Sequence, residues 1–176
     1  MTILDIGCGK RKRPGAIGVD INPESNADVI HDLNEFPYPF GNSSFDEIYA
    51  DNVLEHVDDV IKVMEELLRI CRPHGMIKII VPFFRGKWAF IDPTHKHFFT
   101  VDSFSYFDPK HIHNKLYTYS KATFRVESVV FNESLKCSMP KTILKRIANR
   151  WPEKYETYIS HLWPLDDLTF YLRALK

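Results

Sequence analysis

Five residues near the start of the chain, Asp5-Ile6-Gly7-Cys8-Gly9, close an apolar run with a glycine-rich turn, and Asp20 closes the next apolar run. Glycine carries no Cβ, so a turn of this kind lets the backbone come close to a ligand. An acid at the end of the following strand can accept both hydroxyls of an adenosine ribose. A strand-end glycine pair also serves turn geometry alone in many α/β proteins, so spacing has to decide. A dinucleotide fingerprint needs a third glycine, a helix, and an acid about 20 positions on. Here Lys12 stands at the third glycine position, and Asp20 follows Gly9 by only 11 residues. The connection from Lys10 to Gly15 contains Pro14 and is too short for a crossover helix. Six extended residues span roughly 20 Å, enough to run back beside a short strand. Without a helix N-terminus to face a pyrophosphate, a nicotinamide cofactor is disfavoured and a ligand lacking phosphates is not.

A second group of chemically capable residues is Asp92-Pro93-Thr94-His95-Lys96-His97-Phe98-Phe99, with His111-Ile112-His113 further on. If these stretches were extended, alternate histidines would share a face and each pair could ligate a transition metal. His95, His97, His111 and His113 would then make a metal enzyme. Alternatively one histidine acts as a base in a pocket walled by Phe98, Phe99, Phe104, Tyr106 and Phe107, or the imidazoles only hydrogen-bond within their loops. His56, beside Glu55, is a further base candidate.

The elements that must position these residues follow from hydrophobic periodicity. Thr2–Ile6, Ala16–Ile21, Val29–Ile30, Phe45–Ala50, Met76–Val81, Phe124–Phe131 and Leu168–Leu175 read as strands, the last two pairing antiparallel at an edge. Asp58–Cys71 reads as a helix with Val57, Val60, Ile61, Met64, Leu67, Leu68 and Cys71 on one face. Asp58 or Asp59 caps it, Glu65 and Arg69 pair across one turn, and Arg72-Pro73-His74-Gly75 stops it. A short helix from Thr100 through Phe107 and helices starting near Pro140 and Pro152 complete the expectation. Strands alternating with helices imply an α/β protein with a mostly parallel sheet.

LDIGCG, GVDIN, HDLNEFPYPFGNSSFDEIYADNVLEHV and LLRICRPHGMIKIIVPF, in that order over roughly residues 3 to 84, resemble a class I S-adenosylmethionine-dependent methyltransferase with a shortened first loop. The resemblance implies a Rossmann-like sheet of about seven strands with its first crossover helix missing. It implies one domain over 1–176, with a cofactor half to about residue 84 and acceptor-side elements beyond. It also implies S-adenosylmethionine as cofactor. Asp5, Gly7, Cys8 and Gly9 would face its methionine half, Asp20 its ribose, Ile21, Asp32 and Leu33 its adenine, and Asp51 and Asn52 the floor beneath the sulfonium. A D-P-x-H-x-x-F-F segment borders the acceptor pocket in such enzymes, which makes His95 the first catalytic candidate and His56 the second. Lys10, Arg11, Lys12 and Arg13 form either a solvated loop or one in which a cation binds the methionine carboxylate or an anionic substrate.

The implied reaction is methyl transfer to an O or N acceptor by in-line displacement, which asks the protein mainly for alignment. Ala50-Asp51-Asn52-Val53 is neither the Asp-Pro-Pro-Tyr type of amino-methylating DNA enzymes nor a Pro-Cys nucleophile. Aromatic content of 14% favours a small acceptor. The rivals are a non-catalytic cofactor-binding module, suggested by the reduced N-terminus, and the histidine metal enzyme. The 23 basic and 23 acidic side chains cancel, which argues against nucleic acid and anionic membranes as partners. Ile77–Phe84 is too short to span a bilayer. Three scattered cysteines, Cys8, Cys71 and Cys137, and the absence of a signal-peptide pattern point to a reducing cytoplasm. A second subunit closing the open site, as a homo-oligomer, is compatible with all of this.

Overall fold

In the computed structural model, residues 1–133 and 139–176 are described, with the side chains of 139 and 140 left aside; Cys137 lies outside the described residues. The strands are β1 (Ile3–Ile6), β2 (Ala16–Asp20), β3 (Val29–Ile30), β4 (Phe45–Asp51), β5 (Cys71–Pro82), β6 (Phe124–Phe131) and β7 (Asp167–Ala174). They form one sheet of order β3-β2-β1-β4-β5-β7-β6. The first five strands run parallel, and β7 pairs antiparallel with both β5 and β6. The helices are α1 (Val60–Ile70), α2 (Trp88–Ile91), α3 (Ile112–Leu116), α4 (Met139–Arg150) and α5 (Pro152–Tyr158). None of them is long and apolar enough to cross a membrane.

Burial alternates along the central strands. Leu4, Ile6, Ile48, Ala50, Ile77, Ile79, Phe170 and Leu172 point into the core, while Glu47, Tyr49, Lys78, Tyr171 and Arg173 are only half-buried. On that second face the register sets Asp5, Tyr49, Lys78 and Tyr171 in one cross-strand row. A crossover helix after β1 would ordinarily lie over such a face. Here residues 7–15 contain no helix, as the spacing requires. Arg13 takes its place: its guanidinium lies 3.7 Å from the centre of the Tyr49 ring and donates to Asp51 Oδ2 at 2.9 Å.

Several local expectations shift. Asp59 caps α1, accepting from the Lys62 amide at 3.0 Å. Ile61 faces outward and Val63 inward, so the buried stripe is Val63, Met64, Leu67 and Ile70. Arg69 pairs with Glu66 rather than Glu65, because Glu66 also accepts the Tyr38 amide and draws the guanidinium across Tyr38 and Phe40. Arg72–Gly75 does not separate helix from strand. It is an outward excursion within β5, lying between the pairs Phe45–Cys71 and Glu47–Met76, with His74 at φ 60°. The helix expected from Thr100 shrinks to a 3₁₀ turn over Ser105–Phe107. His111-Ile112-His113 starts α3 instead of forming the expected strand, with the His111 side chain capping the helix by accepting from the His113 amide.

Candidate active site

The carboxyl ends of β1, β2 and β4 meet where a parallel sheet places ligands. Gly7 (φ 63°) and Gly9 (φ 50°) both adopt left-handed backbone, which a side chain would strain. A Cβ on Gly7 would lie 2.4 Å from Val53 Cγ2, so this position is closed to any larger residue without movement of the loop after β4. Asp20 is drawn into the turn it faces: Oδ2 accepts from the Gly9 amide at 2.8 Å and Oδ1 from the Asn22 amide at 2.8 Å. Each oxygen keeps a further lone pair for a hydroxyl donor. Asp5 accepts from the Arg13 amide at 2.7 Å, and burial raises its carboxyl above the usual range. Cys8 is buried, and burial likewise raises its thiol.

Three cavities adjoin here and share Asn52. The first, about 530 Å³, is lined by Asp5, Gly7, Cys8, Gly9, Lys10, Arg11, Arg13 and Asp51. The second, about 340 Å³, lies between Asp20, Ile21, Asp32, Leu33, Val53 and Val57. Asp32 is steadied there by the Asn34 amide and side chain, at 2.9 and 3.0 Å. The third, about 430 Å³, holds Glu55, His56, Trp88, Ile91, Asp92, His95 and Asp167. Asn52 sits at the junction with φ 52°, its amide anchored to the Ile80 carbonyl at 2.8 Å. A larger groove of about 690 Å³ between α4 and residues 162–164 is mainly apolar, and its Lys141 and Asp166 are bonded to each other. It offers no comparable convergence of titratable groups.

The structure brings all ten residues proposed for the cofactor to the first two cavities, and both histidines proposed for catalysis to the third. His95 Nδ1 lies 3.0 Å from the Ala89 carbonyl, and His56 Nδ1 lies 2.9 Å from Thr94 Oγ1. The two rings meet edge to face at 4.7 Å. Burial, and then the neighbouring His95, lower the pKa of His56, which keeps that imidazole neutral.

The larger histidine cluster is not assembled. His97 Nε2 is spent on the Val57 carbonyl at 2.9 Å, and His111 and His113 contact each other, with His113 stacked on Tyr106. The aromatic wall also differs from expectation. Phe99, Phe104 and Phe107 are core residues and Phe98 stacks on Phe90, so Pro82, Trp88 and Ile91 supply the apolar lining of the third cavity.

Glu55 and Asp167 are site residues that sequence reasoning passed over. Glu55 is only 1% exposed, and burial pushes its carboxyl up to about 7. Burial and the adjacent Asp166 push Asp167 to about 6. Neither lies in a motif that marks it. The one local signal was the position of Glu55 among Leu54, His56 and Val57, where an acid in a mostly buried turn calls for a reason.

No curated protein matches the sequence. The profile of the family described as a methyltransferase domain matches residues 4–79. Among solved structures, a SAM-dependent methyltransferase from Archaeoglobus fulgidus is 19% identical with a TM-score of 0.59, covering 98% of this chain and 85% of its own. One from Mesorhizobium loti is 15% identical with a TM-score of 0.59, covering 98% and 90%. The [4+2]-cyclase SpnF is 16% identical with a TM-score of 0.61, covering 99% and 74%. The strand order, these likenesses and the match over the cofactor-side strands agree: the chain has the fold of the class I S-adenosylmethionine-dependent methyltransferases.

Proposed function

We propose that this protein binds S-adenosylmethionine along the first two cavities and transfers its methyl group to an oxygen or nitrogen of a small acceptor held in the third. The observation that carries the reading is the meeting of the three cavities at Asn52. Adenine and ribose fit between Asp20, Ile21, Asp32 and Leu33. The methionine half lies over Gly7 and Gly9, its carboxylate toward Lys10 and Arg11. The sulfonium then sits near Asn52, with its methyl directed at the third cavity.

The donor is already activated, so the chain's main task is to align the acceptor and exclude water. The acceptor atom forms its bond to the methyl carbon as the carbon–sulfur bond breaks, and sulfur keeps the electron pair. Where the acceptor carries a proton, His56 or His95 is placed to receive it. A non-catalytic binding module is the second reading, favoured by the uncovered first loop.

Parallel calorimetric titrations with S-adenosylmethionine, S-adenosylhomocysteine and NAD test the cofactor. Binding of both adenosyl ligands and not of NAD is expected, and binding of NAD alone would sink the proposal. Turnover of any small hydroxyl or amine acceptor separates enzyme from module.

A further inference from the structure

We infer that Glu55, His56 and His95 form a site for a divalent transition metal ion of the zinc type, with open coordination positions facing the acceptor cavity. A carboxylate oxygen of Glu55 and one ring nitrogen of each histidine lie within 4.8 Å of one another. Metal–ligand bonds of about 2.0–2.2 Å put neighbouring donors roughly 3.3 Å apart, so the set has to contract by about 1.5 Å. Both histidines are half-buried at the cavity wall, where small ring movements suffice. Their loops are tied together, with the Lys96 amide donating to the Glu55 carbonyl at 2.7 Å.

Glu55 is the second and independent sign of a ligand. Its side chain lines the cavity at 1% exposure, and neither carboxylate oxygen has a hydrogen-bond donor among the described residues. Buried polar atoms are nearly always partnered, and an unpaired one is costly. The nearest loop cation, Lys96, is committed to Asp58 at 2.6 Å. A metal ion would supply the missing partner.

The histidine tautomers agree. The Ala89 carbonyl can only accept, so His95 Nδ1 carries the proton and Nε2 carries the lone pair. Thr94 Oγ1 donates to Asp92 Oδ1 at 2.7 Å, so His56 Nδ1 must donate to Thr94, again leaving its lone pair on Nε2. A carbonyl and a hydroxyl–carboxylate relay behind two imidazoles are the kind of outer support that orients metal-bound histidines. Two imidazoles with one carboxylate suit zinc, cobalt or iron(II) better than magnesium or calcium, and three protein ligands leave room for a fourth from elsewhere. An acceptor with a hydroxyl or carboxylate oxygen would fill it, and with both Nε2 atoms coordinated the metal, in place of a free imidazole, would ease loss of an acceptor proton. Both points rest on the methyl-transfer reading; the metal site does not.

Chelator-stripped protein titrated with zinc by calorimetry, and with cobalt by visible absorption, tests the site. One tight equivalent and a four- or five-coordinate cobalt spectrum are expected. Glu55→Gln, which keeps size and shape, and His95→Ala, at a half-exposed position, should each weaken zinc at least about 100-fold, more than loss of an outer-shell group does. His97→Ala and His113→Ala should leave it unchanged. Absence of a stoichiometric metal in the wild type, or undiminished affinity in both ligand variants, overturns the site. S-adenosylhomocysteine titrated into the same samples reports the donor cavities separately, so failure of one reading does not mimic failure of the other.

Discussion

The two ends of this site treat their carboxylates in opposite ways. At the cofactor end, Asp5, Asp20 and Asp32 all accept backbone amides, and Asp51 is joined to Arg13. At the acceptor end, Glu55 has no donor among the described residues and Asp167 Oδ1 is likewise buried without one. Asp51 Oδ1 is one exception, at the border between them, and Asp92 is another, since at the wall of the third cavity it accepts from the Thr94 amide and hydroxyl. A cleft whose acids are held by its own backbone is built before any ligand arrives. A cleft with orphaned acids in low dielectric is stable only at a cost, which a proton or a cation removes.

The largest effect should come from breaking the finished end. Asp20→Ala removes the acceptor of two turn amides as well as the proposed ribose partner. Losing hydrogen bonds to a charged group is worth about 1.5–3 kcal/mol, so affinity for S-adenosylhomocysteine should fall roughly 100-fold by calorimetry. An unchanged affinity would mean that the acid only closes the turn.

The unfinished end should announce itself through pH. The carboxyl of Asp167 rises in the folded state from 3.8 to about 6. Its contribution is therefore fully present below pH 3.8 and is lost as pH rises through 6. Over that window the wild type should lose about 2 kcal/mol that Asp167→Asn retains, discounting the full linkage value for partial exposure. Chemical denaturation at pH 4 and pH 8 measures it, and parallel pH slopes for the two proteins would contradict the assignment.

The smallest effect concerns the loop that replaces the helix. Lys12 and Arg13 are committed to Asp28 and Asp51, at 2.7 and 2.9 Å, whereas Lys10 and Arg11 line the first cavity without an acid partner among the described residues. Reversing both to Glu should weaken S-adenosylhomocysteine by about tenfold, and the loss should shrink as salt is raised. No change would return these cations to the role of a solvated loop.

How much of this was legible in the sequence divides along the same line. The turn at Gly7 and Gly9, the missing helix and the ends of β1, β2 and β4 were readable because each depends on residues close in the chain. α1 was readable too, though its buried stripe turned toward Val63 once the sheet beneath it was fixed. The partner of Arg69 was misjudged because the tertiary contacts of Glu66 outweigh an isolated helix spacing. The four-histidine cluster failed because periodicity assumed a strand where His111 begins α3.

The sequence by itself determined the turn and the acid that we propose hold an adenosyl ligand, since glycines that need left-handed backbone and an acid 11 residues further on act through the local path of the chain. Only the tertiary structure decided that Arg13 would cover Tyr49 and that Glu55, His56 and His95 would share a wall. Those groups come together through the packing of loops about 40 residues apart, and burial, which sets the chemistry of Glu55, is a property of that packing and not of its neighbours in sequence.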